Sequence, residues 1–511
     1  MDDGGDMRAF CEHPTSRPDP TNLMTRYLPT FLLLLLLILF AGILLYGADL
    51  NHASAQTTGE DYALLQEQPL RITRGPYLQL GTPDSILIRW RTNLPTTSAV
   101  QFGLNAEAMT NNITASQVVT EHVIAINNLV PETTYFYTVG AITQTLTSPN
   151  ANHYFVTAPP VGQRTPTRIW VLGDSGYAPT AQRVRDAYYR YTGNRRTDVM
   201  LMVGDNAYPY GTDEEFQTGL FDVFADTIDK TTLWPALGNH DTHNADVASQ
   251  TGPYFDVFSL PTQGEAGGIP SGTEAYYSFD YGNIHFICLD SVKSIWWPLG
   301  PQPMIDWLYN DLQSTHQDWI IAYWHHPPYS KGKHDSDTES GSIRMRERIL
   351  PLLENAGVDL VLSGHSHSYE RSYLIDGHYG TSGTFEEDMI LNHTSGDPGI
   401  DRAYYKTKHP HKGAVYVVAG TSGAALRDGA FDHPVMYTHQ LKYGSVVIDV
   451  VENVLSLAFL DDNGIVQDRF SLYKSMPHGS PTPSPTFTPT ATPIPTATPA
   501  TIYLPVLFAK G

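Results

Sequence analysis

Aspartate, asparagine, tyrosine and histidine recur in five short clusters, each of a composition that can hold a metal ion. Asp174 stands in Gly-Asp-Ser-Gly; Asp205, Asn206 and Tyr208 in Gly-Asp-Asn-Ala-Tyr; Asn239, His240 and Asp241 in Gly-Asn-His-Asp; His325 and His326 in Trp-His-His-Pro-Pro-Tyr; His365 and His367 in Gly-His-Ser-His. Singly, each is ordinary: a Gly-Asp pair is usually a turn, an Asn-His pair a polar surface, and adjacent histidines are usually solvated. The weight comes from their conjunction. Carboxylate, amide oxygen and imidazole together suit borderline divalent or trivalent metals such as Fe, Mn and Zn. No cysteine takes part, which argues against a structural thiolate zinc site.

Such side chains must be held by fixed elements. Arg168-Ile-Trp-Val-Leu172 is a short apolar strand ending in the first cluster, and Val199-Met-Leu-Met-Val203 ends in the second. Trp319-Ile-Ile-Ala-Tyr-Trp324 runs into His325, and Val358-Asp-Leu-Val-Leu362 leads to Gly364-His365. A strand over 284–289 ends in Asp290, which reads as a capping carboxylate; 415–418 and 445–450 supply further strands. Helices are expected over 180–191, 303–316 and 342–356. Buried strands alternating with helices predict a layered α/β domain over 166–474. The clusters lie just past the carboxyl ends of the strands, where such sheets place their ligands.

Residues 69–160 alternate in the manner of short β-strands, among them Ser85-Ile-Leu-Ile-Arg-Trp90 and 119–126. Leu129, Pro131, Thr133 and Tyr135, with Trp90 upstream, resemble the E–F corner of fibronectin type III domains. The resemblance implies an all-β sandwich. Nothing in it carries evident chemistry, so a spacer or packing role is expected.

The ends differ in kind. Residues 28–46 carry no charge and are about long enough to span a bilayer. Residues 1–55 are therefore expected to be an export segment, either a retained membrane anchor or a signal peptide cleaved near Ala53-Ser-Ala55. Residues 56–68 read as a linker. Residues 477–500 are rich in Pro and Thr and read as a stiff, extended linker. The apolar tail at 501–511 resembles cell-surface attachment tails, with an unstructured end as the alternative. The chain is expected outside the cytoplasm, secreted or anchored at the cell envelope through its N-terminal segment and C-terminal tail.

Composition limits the function classes. A net charge of −22 leaves no basic stripe for phosphate backbones, so no nucleic-acid partner is expected. It leaves a small phosphorylated substrate open, because bound metals reverse the field inside a cleft. The two cysteines, Cys11 and Cys288, lie on opposite sides of the apolar segment, so stability must come from core packing. Oligomeric state is not legible.

The ordered set Asp-x-Gly, Gly-Asp-x-x-Tyr, Gly-Asn-His-Asp, His-His-Pro and Gly-His-x-His resembles the calcineurin-like metallophosphoesterases. Tyr208 three residues after Asp205, and Gly364-His-Ser-His-Ser-Tyr-Glu-Arg371, resemble the purple acid phosphatases in particular, as does a preceding fibronectin-like domain. The resemblance implies a two-sheet α/β sandwich metallophosphoesterase domain preceded by an all-β fibronectin III-like sandwich. It also implies two metal ions, Fe(III) with Fe, Zn or Mn. Asp174, Tyr208 and His367 would hold one, Asn239, His325 and His365 the other, and Asp205 both. The implied reaction is hydrolysis of phosphate monoesters by in-line attack of a hydroxide generated at metals roughly 3.5–4 Å apart. Tyr208 as a phenolate ligand on ferric iron would give a purple colour; an unligated Tyr beside another metal pair fits the same spacing.

His240 fits a donor to phosphate or leaving group. His334 is a second candidate, against a plain surface-loop role; plant-type relatives carry adjacent histidines near it where this chain reads His334-Asp335, leaving the general acid open. His326 is expected behind the ligands, and Glu370 and Arg371 as an ion pair beneath His367. The insert at 375–412 is expected to line the substrate entrance, with Tyr404, Tyr405 and Lys406 as substrate contacts. Two alternatives stand beside this reading: a phosphodiesterase on the same scaffold, and a surface adhesion protein with an inactive catalytic domain.

Overall fold

A computed structural model describes residues 69–295, 302–406 and 412–475. The expected export segment, the Pro/Thr-rich linker, the C-terminal tail and Cys11 lie outside these residues. Among the described residues no helix is long and apolar enough to cross a membrane.

The N-terminal part is β-rich. It contains β1 (Ile72–Gln79), β2 (Ile86–Gly103), β3 (Asn111–Ile126), β4 (Thr134–Ala141), β5 (Gln144–Thr145) and β6 (Tyr154–Val156). β2 is far longer than the alternation around Trp90 suggests. Its first half pairs with β1, its last five residues pair with β4, and β3 runs along it with register shifts. Ile88, Trp90, Val100, Tyr137 and Val139 form the core between these strands. Tyr135 is buried, and its hydroxyl accepts a hydrogen bond from the Val130 backbone N–H at 3.0 Å, closing the corner before β4.

This β layer is tied to the rest. The buried Arg74 guanidinium donates to Gln217 Oε1 at 2.7 Å and to Asp213 Oδ1 at 2.9 Å. Arg91 donates to both oxygens of Asp213 at 2.6 Å. Tyr77 and Tyr137 donate through their hydroxyls to the carbonyls of Val257 and Asp229. The described residues from Arg71 onward form one compact unit.

Two seven-stranded sheets make up the remainder. One has the order β10-β11-β12-β13-β18-β14-β19, from β10 (Tyr277–Tyr281), β11 (Ile284–Cys288), β12 (Trp319–Tyr323), β13 (Leu360–Ser363), β14 (Tyr369–Ser372), β18 (Val415–Ala419) and β19 (Met436–Gln440). The other has the order β17-β22-β21-β20-β7-β8-β9. It is built from β7 (Thr167–Leu172), β8 (Val199–Met202), β9 (Leu233–Pro235), β17 (Tyr404–Lys406), β20 (Gly444–Val451), β21 (Val454–Asp461) and β22 (Val466–Lys474). β11-β12-β13-β18 and β7-β8-β9 are parallel runs. Their continuous apolar sequences follow from burial on both faces. A small pair, β15 (Leu374–Ile375) and β16 (Ile390–Asn392), stands apart.

The sheets share one core. Trp234 of β9 stacks on Phe279 of β10, with ring centroids 3.8 Å apart, and Tyr369 of β14 stacks on Phe459 of β21 at 4.2 Å. Helix α1 (Ala178–Thr192) covers β7 through Tyr188, whose ring lies 4.0 Å from that of Trp170. Helix α2 (Gln302–Ser314) brings Asp311 to His285 on β11. The third expected helix is interrupted: Ser340–Arg344 and Leu350–Ala356 are joined through a π-helical turn.

Candidate metal centre

The loops leaving β7, β8 and β13 carry Asp174, Asp205 and His365, and all three have left-handed backbones, with φ of 56°, 54° and 66°. Non-glycine residues in that region cost of order 1–3 kcal/mol each and persist where the surroundings over-determine them. The strain points all three side chains into one space. Close approach of the loops requires glycine at two places. A Cβ at Gly204 would lie 2.5 Å from His325 Nδ1, and one at Gly238 would lie 2.0 Å from the Asp205 backbone nitrogen.

The structure brings all seven expected ligand side chains together. The Tyr208 hydroxyl lies 3.0 Å from Asp174 Oδ1, 2.9 Å from Asp205 Oδ2 and 3.4 Å from His367 Nε2. His367 Nε2 is 3.4 Å from Asp174 Oδ1. On the other side, His325 Nε2 is 3.0 Å from Asn239 Oδ1, 3.2 Å from His365 Nδ1 and 3.4 Å from Asp205 Oδ2. Asp205 thus stands between two half-sites. The far nitrogens of two imidazoles are occupied: His325 Nδ1 faces the Val203 carbonyl at 3.1 Å, and His367 Nδ1 the Ala425 carbonyl at 2.8 Å. A backbone carbonyl there fixes the tautomer, so that Nε2 offers a lone pair inward. His365 is turned the other way, with Nε2 at 2.8 Å from Glu339 Oε2 and Nδ1 inward.

Electrostatics agree with a cation site. Asp174 and Asp205 are wholly buried, and among the described residues neither forms an ion pair with Lys or Arg; their partners of opposite sign are imidazoles. Burial pushes the Asp174 carboxyl up, but His367 and His325 hold it below its ordinary value. Asp205 behaves alike, with burial outweighed by His325 and His240. The neighbouring carboxylates answer on the imidazoles: burial lowers His325, but Asp205 brings it up to about 9. Burial and the two carboxylates push the Tyr208 phenol well up; a cation between them would reverse that field. Two carboxylates, an amide oxygen, a phenol and three imidazoles, with no thiol, fit borderline divalent or trivalent ions.

Around this set, His240 packs on Tyr208 with ring centroids 4.5 Å apart and directs Nδ1 at the Pro209 carbonyl, 2.6 Å away. Its Nε2 is 3.9 Å from Asp205 Oδ2. His334 lies over the site, its ring 3.9 Å from that of His365, with Nδ1 hydrogen-bonded to Glu339. His326 sits behind the ligands, against Ser291, and burial holds it well below its ordinary value. Asp290 caps the turn after β11, accepting from the N–H groups of Val292, Lys293 and Ser294.

Several expectations need correction. Glu370 and Arg371 do not pair with each other, because consecutive strand residues point to opposite faces. Glu370 faces the loop of His367 and accepts from Ser330 and Ser368 at 2.6 and 3.0 Å. Arg371 faces away and clamps Asp468 at 2.6 and 2.9 Å, far from any ligand. Tyr404 and Lys406 are buried and reach no substrate. Tyr404 accepts a hydrogen bond from Arg371, and Lys406 pairs with Asp359 at 3.0 Å, just before the amino end of β13 and thus at the opposite end of the sheet. Tyr405 is exposed but stacks on Tyr473 of β22, at that same remote edge.

One further member of the site, Glu339, carried no sequence signal, and Asp241 of the third cluster has a role that its motif did not show. Glu339 links His334 to His365, and those three form one group of convergent ligand atoms. Its sequence context, before a helix, reads only as a cap. Asp241 is buried and gathers the N–H groups of Gly238, Asn206 and Ala207, which binds the second and third loops together. Burial, then Asp205, pushes its carboxyl up to about 7.

Residues 167–369 match the family described as calcineurin-like phosphoesterase, and residues 73–157 the purple acid phosphatase N-terminal domain. Purple acid phosphatase 15 of Arabidopsis thaliana is 26% identical over 371 residues, covering 62% of this chain and 65% of its own length. A purple acid phosphatase of Glycine max is 28% identical over 263 residues, covering 49% and 52%. The chain thus spans less than two thirds of the length of these relatives. The solved purple acid phosphatase PPD1 of yellow lupin shares the fold, with a TM-score of 0.56 at 18% identity over 79% of this chain and 74% of its own. The two matched regions stand in this order, on a fold shared with a solved purple acid phosphatase: a calcineurin-like phosphoesterase domain preceded by a purple acid phosphatase N-terminal domain.

Proposed function

We propose that this protein hydrolyses small phosphate monoesters at a dinuclear metal centre, as an exported acid phosphatase-like enzyme. The observation that carries the reading is the convergence of Asp174, Asp205, Tyr208, Asn239, His325, His365 and His367 on one space, with the outer nitrogens of His325 and His367 tied to backbone carbonyls. Asp174, Tyr208 and His367 would hold one ion, Asn239, His325 and His365 the other, and Asp205 would be shared by both. Two metals there, an Fe(III) with Fe, Zn or Mn, would neutralise a bound phosphate and supply a nucleophile from water near neutral pH.

The chain's own groups orient the ester. His240 keeps its Nδ1 proton on Pro209 and presents Nε2 beside Asp205, where a phosphate oxygen would lie. His334, held through Nδ1 by Glu339, has Nε2 available to protonate the leaving oxygen. His240 is fixed by a backbone carbonyl and His334 by the Glu339 carboxylate; His334 is taken as the acid because its Nε2 is the nitrogen that Glu339 leaves unengaged.

Export rests on the uncharged run at 28–46 and the small residues at 53–55. A fibronectin III-like identity for residues 69–160 rests on the Tyr135 corner. The test compares an aryl phosphate monoester with the matching diester, across pH, after loading with Fe, Mn or Zn and counting metals per chain. Monoester preference with two metals supports the reading. Diester preference moves the enzyme to the phosphodiesterase alternative, and metal-free, inactive protein favours the adhesion alternative.

A further inference from the structure

A row of aromatic rings leads out of the site, and its outer members, Tyr177, His243 and Tyr210, take no part in the chemistry above. Tyr177 stacks on Tyr208, with centroids 5.1 Å and planes 26° apart. Tyr208 also meets His240 at 4.5 Å, His240 lies 5.3 Å from His243, and His243 lies 6.0 Å from Tyr210. Tyr208 is buried, yet Tyr177 and Tyr210 are 47% and 58% exposed. The row begins one ring away from the two carboxylates, since the Tyr208 hydroxyl touches both.

The backbone that carries the row is fixed. The Tyr210 N–H donates to Glu215 Oε2 at 3.0 Å, within the loop closed by the Thr212–Glu215 capping box, and the Tyr210 carbonyl accepts from Asn244 at 2.8 Å. Tyr177 occupies the N-cap position of α1, where its carbonyl accepts from the Ala181 N–H at 3.0 Å. Large apolar faces exposed beside a reactive centre, on loops already ordered, bind a flat partner with little further loss of freedom.

We propose that this row is a subsite for a planar aromatic part of the phosphate ester, a nucleobase or an aryl ring, stacked on Tyr177 or Tyr210 while the phosphate sits at Asp174 and Asp205. The proposal rests on the phosphomonoesterase reading and names the substrate class of that site.

The test uses ester pairs whose leaving groups are primary alkoxides of matched reactivity, so that the difference within a pair reports binding of the ring. Adenosine 5′-monophosphate is compared with ribose 5-phosphate, and 3-phenylpropyl phosphate with 3-cyclohexylpropyl phosphate, on the metal-loaded full chain. The expected result is a kcat/KM preference of about tenfold for the aromatic member of at least one pair, from the usual strength of ring stacking. Tyr177→Leu or Tyr210→Leu is expected to bring that preference close to one. The pair that responds identifies nucleobase or aryl ring, and the responding variant locates the stack. No preference in either pair, or a preference that survives both substitutions, overturns the subsite and leaves the phosphatase reading standing. Failure to hydrolyse any of these esters, and p-nitrophenyl phosphate as well, removes that reading and the subsite with it.

Discussion

His285 and Asp311 are joined by a 2.9 Å hydrogen bond at a point where neither side chain is more than 1% exposed. The other ring nitrogen of His285 faces Asp280 at 2.8 Å. Burial disfavours the imidazolium, but the two carboxylates bring its pKa up to about 9, against 6.5 ordinarily. Below 6.5 the folded and unfolded chains both carry the proton, and the stabilisation is fully present. Between 6.5 and 9 the unfolded chain releases its proton while the folded one keeps it, so stability falls with rising pH. The loss is on the order of 3 kcal/mol across this window. Urea unfolding at pH 6, 7.5 and 9 measures it, and His285→Gln should flatten the dependence.

Asp205→Ala should lower turnover by at least about a thousandfold, because it removes the one carboxylate standing between both half-sites. Metal content should fall below two per chain in the same protein. Chelator treatment of the wild type should abolish activity, and added Fe, Mn or Zn should restore it; in Asp205→Ala the same addition should not. Wild-type turnover with full metal content in the variant would refute the assignment.

Glu339→Gln tests a residue that orients two others. It keeps the shape but removes the charge shared by His334 and His365. A fall in kcat of about ten- to a hundredfold is expected, typical of groups that hold a metal-ligating histidine. KM should change less than kcat, and metal content should fall as His365 loses the partner that orients it.

Arg371→Met should cost about 3 kcal/mol of stability, as breaking a buried ion pair does, and leave kcat within twofold at temperatures where the variant is folded. Arg371 touches Asp468 and Tyr404, and no ligand. Loss of activity without loss of stability would return Arg371 to the site.

The contrast between Arg371 and His367 explains how much the sequence revealed. His367, His325, Asp174 and Asp205 follow apolar strands, and a strand's carboxyl end dictates where its next residues go. Local pattern was therefore enough to gather them. Arg371 lies in the same motif as His367, but strand alternation turns it to the other face, and only the sheet's register shows what it meets. Tyr404 and Lys406 misled for the same reason: their parallel pairing with β22 is a long-range event with no local mark. Glu339 was invisible because its link to His365 spans 26 residues of intervening helix and strand. The length of β2 was hidden because Asn93 and Pro95 are poor strand formers, whereas the strand runs through them with register shifts against β3.

Asp213, gripped by Arg74 and Arg91, lies five residues beyond Tyr208. β1 and β2 therefore anchor the loop that carries the Tyr208 phenol into the candidate metal centre. A cut in the chain near residue 160 would not release a self-sufficient enzyme from an idle passenger. It would leave a buried wall bare and that loop without its anchor. A graft of the phosphoesterase half onto another partner would have to reproduce a pair of arginines that take no part in the chemistry.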